Sequence, residues 1–462
     1  MTFNQPNLNR IKLLLFIFFI TLTTVSAQVD QVSVVNDESG SKLQINGKDF
    51  FVIGMNWDYF PIGENYSYSL WTQPEDVIKD ALDREMTLLK NMGVNVIRQY
   101  VGIQPKWIEY IYKNYGIYTI INHSFGRYGV TINDVYVQNT DYADPQTREQ
   151  LLKEVNDLVN EYKNIPGLLM WLLGNENNYG LFWGGAATED IPEGETLESV
   201  RARHMYKLFN EGIKEIKKYD TNHPVAICNG DLLFIDIIKE EVPDMDVFGV
   251  NAYRGVSFTD AFEKVKEKLN VPLMFTEFGS DAFNEKEMRE DQSMQTKYLL
   301  GNWEEIFENA YGQEETGISI GGITFQFSDG WWKYLQDSNL DVHDIHASWS
   351  NGGYKEDYVE GENNMNEEWF GICAKGPTDE RGLYQLYPRA AYYALKDAFQ
   401  ISPLDKNVDA VAIRSHFEKM SPTPYVLKAR GDKAALESSE LSLVRLSGLR
   451  LEFETIVLVA IK

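Results

Sequence analysis

Cysteine is almost missing from this 462-residue chain, which has 2, Cys228 and Cys373. One disulfide is the most they can form, so a fold held by a disulfide framework is excluded, and their spacing leaves open whether they pair or stay free. Histidine is also scarce, at 6 scattered residues, and neither cysteine has a second Cys or a His at metal-ligand spacing. No structural metal and no cofactor is expected. Positive charge is short as well: 43 Lys and Arg stand against 69 Asp and Glu, for a net charge of -26. A nucleic-acid partner needs a field of the opposite sign, so that class is excluded. Beyond the N-terminus no run approaches the roughly 18 apolar residues of a membrane span, and no stable membrane insertion is expected. A glycine-rich turn is missing too, because the first apolar strand runs into Gly54-Met55-Asn56-Trp57-Asp58-Tyr59. That bulky, polar segment does not cradle a pyrophosphate, which argues against a dinucleotide-binding sheet.

What is present suffices for a large core, with 44% hydrophobic and 13% aromatic residues. The aromatic load is either core filling or in part a set of flat faces for stacking sugar rings. Residues 1–27 read as a secretory signal: Arg10 and Lys12 precede the apolar run Leu13 to Ile20, and Val25-Ser26-Ala27 offers small residues for cleavage after Ala27. The expected location is therefore secreted or periplasmic. From there β-type runs alternate with amphipathic helical stretches. The strands are expected at Phe50 to Asn56, Val94 to Tyr100, Ile117 to Ser124, Leu168 to Gly174, Pro224 to Asn229, Val247 to Asn251, Leu273 to Phe278 and Ile320 to Phe327. Helices are expected near 75–92, 105–115, 145–163, 197–218, 231–240, 258–269, 289–310 and 388–399. Eight apolar strands alternating with eight helices imply an α/β fold, a (β/α)8 TIM barrel over residues 28–400. The acidic excess lies in those residues, whereas 401–462 is about neutral and alternates at Leu441, Leu443, Leu449, Leu451 and Phe453. The tail therefore reads as the start of a β-rich accessory module that is cut short.

Catalytic groups of such a barrel come from the C-terminal ends of its strands. Strand four ends Gly174-Asn175-Glu176-Asn177 and strand seven ends Thr276-Glu277-Phe278-Gly279. The dipeptide Asn-Glu is uninformative alone, since it occurs five times, but only this copy follows a glycine at the end of an apolar strand. Strands four and seven lie on opposite sides of an eight-stranded ring, so both carboxylates can face one bond. That pair is what glycosidic cleavage requires: one carboxyl protonates the leaving oxygen, the other attacks the anomeric carbon or activates water.

Gly174-Asn175-Glu176, Val250-Asn251-Ala252-Tyr253 and Thr276-Glu277-Phe278-Gly279 resemble the strand-four, strand-six and strand-seven motifs of clan A glycoside hydrolases. The likeness runs over about residues 45–335 and is nearest to the barrel domain of family 2 and, less closely, to the family 72 β-1,3-glucanosyltransferases. The resemblance implies a retaining mechanism on a β-type linkage, with Glu176 as acid/base and Glu277 as nucleophile. Neighbouring roles follow, each beside a structural alternative. Asn175 is positioned to bond the hydroxyl next to the anomeric carbon, or caps a helix. Arg98 would hold Glu277 ionised, or merely close the rim with a salt bridge. Tyr253 would donate to the nucleophile, or pack. His123 would touch substrate or tune Glu176, or is a satisfied structural histidine. In clan A a strand-eight tryptophan commonly floors the sugar subsite, which favours Trp331, with Trp332 as the alternative; Trp57 and Tyr59 are further stacking candidates, or core. The long acidic segment 329–387 is expected to overhang the cleft.

The expected function is an exported retaining β-glycosidase acting on a poly- or oligosaccharide, with a neutral β-linked glycan as the partner that suits a negative surface. A transglycosylase using the same two glutamates is the alternative within enzymes. A non-catalytic carbohydrate-binding barrel is the alternative outside them, and retention of both rim glutamates argues against it.

Overall fold

The computed structural model describes residues 29–100, 102–185 and 191–437. The signal segment and the alternating residues after 440 lie outside the described residues. Eight strands form a closed ring: β1 (Val52–Asn56), β2 (Val96–Tyr100), β3 (Tyr118–His123), β4 (Leu168–Leu173), β5 (Val225–Gly230), β6 (Val247–Asn251), β7 (Leu273–Phe278) and β8 (Ser319–Thr324). Each pairs in parallel with its neighbours in the chain, and β8 closes on β1 through Gly321 to Thr324 against Val52 to Met55. The helices between them are α1 (Glu75–Met92), α2 (Pro105–Tyr115), α3 (Pro145–Tyr162), α4 (Leu197–Tyr219), α5 (Ile235–Glu241), α6 (Ala261–Lys268), α7 (Gln292–Glu308) and α8 (Ala390–Ala398). This is the TIM barrel expected from the alternation.

Local chemistry explains the boundaries. The strand Leu168–Leu173 is buried along its whole length, as a parallel strand between barrel interior and helices must be. Helix α3 starts where Asp144 accepts a hydrogen bond from the Thr147 amide with Pro145 in its first turn, and α4 where Thr196 accepts from the Ser199 amide. Inside the barrel pack Val52, Val96, Ile120, Met170, Leu172 and Met274. The same cluster includes Val32, Leu43 and Ile45 of a small antiparallel sheet, Val32–Asp37, Gly40–Ile45 and Lys48–Phe50. Its amides at Val32 and Ser41 bond the carbonyls of Asn222 and Gly317, in the turns that lead into β5 and β8. The sheet thus plugs the end of the barrel opposite the strand C-termini, leaving those ends for chemistry.

Two expectations need correction. The segment Phe50 to Asn56 is not one strand: Lys48–Phe50 belongs to the plug and Val52–Asn56 to the barrel, with Phe51 between them packing its ring against Phe307. Nor do the described residues of the tail contain a strand. They form α9 (Ala410–Phe417) and a helix over 422–437, and Ile413 and Phe417 are buried in the outer core. Ala410, Ile413 and Phe417 fall at helical spacing, which decided their form over the neutral composition. Among the described residues no helix is long and apolar enough to cross a membrane.

Candidate active site

Arg98 organises the mouth of the barrel. It stands near the end of β2 with its side chain fully buried, and a buried guanidinium needs partners for its donors. Nη1 donates to Glu277 Oε1 at 2.7 Å and to the Thr276 carbonyl at 3.1 Å; Nη2 donates to Asn175 Oδ1 at 2.8 Å; Nε donates to Asn122 Oδ1 at 2.9 Å. One cation therefore ties together the ends of β2, β3, β4 and β7. Glu277 also accepts from the hydroxyls of Tyr253 at 3.1 Å and Tyr100 at 3.4 Å. Burial, then the charge of Glu277, pushes the Tyr253 hydroxyl well above its ordinary pKa, so it stays a donor.

Glu176 is held differently. Its backbone is left-handed, with φ of 57°, directly after Gly174 at φ of 81° and Asn175. A Cβ at position 174 would come within 2.7 Å of the Phe209 ring, so glycine is required for both the turn and the packing. The left-handed conformation costs on the order of 1 kcal/mol at a non-glycine residue. It is fixed by the Glu176 amide donating to the Cys228 carbonyl and by the Tyr179 amide donating to the Glu176 carbonyl. The Glu176 carboxyl accepts from Asn251 Nδ2 at 3.2 Å and has no bonded cation among the described residues. Burial first, and the charge of Glu277 second, push its pKa up to about 7. The two carboxyls thus differ in kind: one is paired with a guanidinium and two phenols, the other is desolvated and inclined to keep a proton.

Asn175, Arg98 and Tyr253 are therefore gathered around the two glutamates. Asn175 Oδ1 accepts from Arg98 and Asn251, and its Nδ2 donates to the Tyr128 hydroxyl at 2.9 Å. His123 is turned away from Glu176: Nδ1 accepts from the Phe125 amide and Nε2 faces Glu154 of α3 at 3.4 Å, the structural alternative. Trp57 and Tyr59 are core residues. Trp57 is buried and donates to Glu85, whose carboxyl is pushed up to about 8 by burial; Tyr59 stacks on Tyr384 and donates to the Gly382 carbonyl. Tyr59 covers the hairpin Cys373–Thr378 with Tyr384–Pro388, and Trp57 packs on Trp71. Trp331 stacks on His343, which stacks in turn on Trp369. The ring that packs on Tyr253 from the end of β8 is Phe325, not Trp331. Trp332 is half-buried between Phe60 and Tyr66, with Lys333 Nζ 4.6 Å above its face. The segment after β8 reaches the site as expected: Trp349 packs on Tyr253, and Asn351 donates to the Tyr253 carbonyl. The cysteines are free and buried, and burial pushes the Cys228 thiol up to about 11.

Sequence reasoning missed Asn251, Asn122, Tyr100 and Phe325. Each stands within one residue of the end of a barrel strand, and a polar residue at the close of an apolar run was the signal available for the first three.

Comparison with known proteins agrees with this geometry. Residues 37–315 match the family model described as glycosyl hydrolases family 2, TIM barrel domain. A probable 1,3-beta-glucanosyltransferase GAS3 of Saccharomyces cerevisiae is 25% identical over 325 residues, covering 64% of this chain and 54% of the yeast protein. A beta-galactosidase of Photobacterium profundum is 28% identical over 142 residues, covering 30% of this chain and 12% of that enzyme. Among solved structures, a Bacteroides uniformis beta-glucuronidase 2 superposes with a TM-score of 0.52 at 14% identity, covering 82% of this chain and 38% of that one, a likeness of fold. The chain spans about half the length of the yeast relative and far less of the galactosidase.

Proposed function

Because the chain belongs to glycosyl hydrolases family 2 through its TIM barrel domain, we propose that it is an exported retaining β-glycosidase acting on a neutral β-linked poly- or oligosaccharide. The observation that carries this reading is the division of labour between Glu277, bonded to Arg98 and Tyr253, and Glu176, whose pKa is raised to about 7. In the first step a Glu277 oxygen attacks the anomeric carbon as the glycosidic bond breaks, and Glu176 gives its proton to the departing oxygen. The result is a glycosyl ester on Glu277 and an ionised Glu176. In the second step Glu176 takes a proton from water, whose oxygen displaces Glu277 from the same carbon, returning both carboxyls to their starting states. As positive charge grows on the ring, Arg98 keeps the Glu277 carboxylate oriented and Asn175 offers an amide beside it.

Replacing Glu277 by Gln should abolish turnover while sugar binding persists; a mechanism-based fluorosugar should label Glu277. Undiminished turnover, or label on another residue, would overturn the assignment. Transfer to a sugar acceptor in place of water is the second reading, favoured by the likeness to the probable glucanosyltransferase. Products longer than the substrate would identify it. Residues 1–27 support export by their charge and apolar run.

A further inference from the structure

A cavity of about 520 Å³ opens against the turn that follows Glu176, and its walls come from the chain after β1, β3, β4 and β8. It falls inside the roughly 300–1,000 Å³ range of small-ligand sites. Its lining includes Asn177 and Gly180, from the turn that Glu176 begins, and Tyr128, whose hydroxyl accepts from Asn175. It includes none of Arg98, Tyr100 and Tyr253, the groups bonded to Glu277. The cavity therefore adjoins the loop that carries Glu176 rather than the groups bonded to Glu277.

Its surface is unusual for a protein exterior. Trp183 is 79% exposed, Tyr136 62%, Tyr128 58% and Tyr66 56%, and all four line this one cavity. Large aromatic faces left in water are a cost that folding normally removes, and such faces stack well on the C–H faces of pyranose rings. The Tyr136 hydroxyl donates to the Tyr128 carbonyl, which pins the hairpin Val130–Ile132 with Val135–Val137 in place. Between the aromatics lie Gln138, Asn139 and Gln336, side chains suited to sugar hydroxyls. Arg127 is half-buried here, and its Nε has no partner among the described residues.

We propose that this cavity is the leaving-group site of the enzyme: it holds the sugar units beyond the bond that Glu176 protonates, stacked on Trp183 and Tyr136. The inference rests on Glu176 being the acid. It makes an oligosaccharide, rather than a single sugar on a small aglycone, the substrate the site is built for, and the same pocket would seat an acceptor sugar in transfer.

The test uses the full chain. In the Glu277→Gln background, calorimetric titration with β-glucan, β-galactan and β-mannan pentasaccharides should find a ligand whose affinity falls about tenfold when Trp183→Ala and Tyr136→Ala are combined, the worth of two stacking contacts. Phe182→Ala, exposed beside Trp183 but outside the cavity lining, should leave that affinity unaltered. In the active enzyme, kcat/KM of the double variant should fall about tenfold more on that oligosaccharide than on the nitrophenyl glycoside of the same sugar. Equal affinity with and without the two aromatics, absence of binding by every pentasaccharide, or equal losses on the two substrates would overturn the proposal. Persistent turnover by Glu277→Gln would instead overturn the glycosidase reading, while the titrations would still decide whether the cavity binds sugar.

Discussion

In the proposed mechanism the proton on Glu176 sets the pH dependence. Burial and the neighbouring Glu277 charge push its pKa up to about 7, and the proposed acid step needs the protonated form. kcat/KM is therefore expected to fall as pH rises through about 7, since the proton required for the leaving oxygen is then absent. Replacing Glu277 by Gln removes one of the two causes, so Glu176 should titrate lower in that variant, which carboxyl NMR would read. The linkage to stability has a definite sign. A carboxyl whose folded pKa exceeds its unfolded value stabilises the fold below the unfolded value, and that contribution is lost as pH rises through the folded one. Glu176→Gln should accordingly raise the thermal midpoint more above neutral pH than in mild acid; an equal gain at both would show that Glu176 is not desolvated. Arg98 is bonded directly to Glu277. A cation with its side chain buried beside a carboxylate is costly to leave alone, and each here is the compensation of the other.

Strands place these groups because five of the eight barrel strands end at the rim with a polar residue: Asn56, Tyr100, His123, Asn251 and Thr324 close β1, β2, β3, β6 and β8. The barrel must also make room beneath them. On β6 a Cβ at Gly249 would stand 2.4 Å from the Ile227 carbonyl oxygen of β5 and 2.9 Å from the Thr276 methyl of β7. Backbone cannot yield as a side-chain tip can, so Gly249→Ala should destabilise the protein by about 1–3 kcal/mol, read from urea unfolding. It should disturb Arg98 as well, because Thr276 carries the carbonyl that Arg98 binds. A neutral result would mean that β6 shifts freely, against the closed ladder. The rim insertions act at the same scale: the segment after β8 supplies Trp349 to Tyr253, and the hairpin after β3 supplies Tyr136 to the cavity.

At the scale of the molecule, the barrel is closed below by the N-terminal sheet and buttressed on one side by the helices after residue 400. The Phe417 ring packs edge-on against Phe307 of α7, and Phe307 in turn meets Phe51 at the entrance to β1. Phe417→Ala is expected to cost about 3–5 kcal/mol, measured by calorimetric or denaturant unfolding, with the pH profile of the remaining activity unmoved because the site lies at the barrel mouth. A loss well under 1 kcal/mol would make the described tail an appendage rather than part of the core. The acidic excess belongs to the barrel and its loops, and it suits neutral glycans better than polyanionic ones.

The sequence by itself determined the number and order of strands and helices, the barrel, and the two glutamates at the ends of β4 and β7. These are local matters: an apolar run buried on both faces, a helical stripe, and a carboxylate just where the run stops are written in adjacent residues. Tertiary structure alone decided which neighbours serve the site. Arg98 and Glu277 are 179 residues apart, and their pairing exists only because the ring brings β2 and β7 to one mouth. Trp57, Tyr59 and Trp331 follow strand ends within a few residues, as Phe325 does, yet of these four only Phe325 meets Tyr253. Where a side chain points after a strand ends depends on the loops that pack over it, and those loops come from distant parts of the chain.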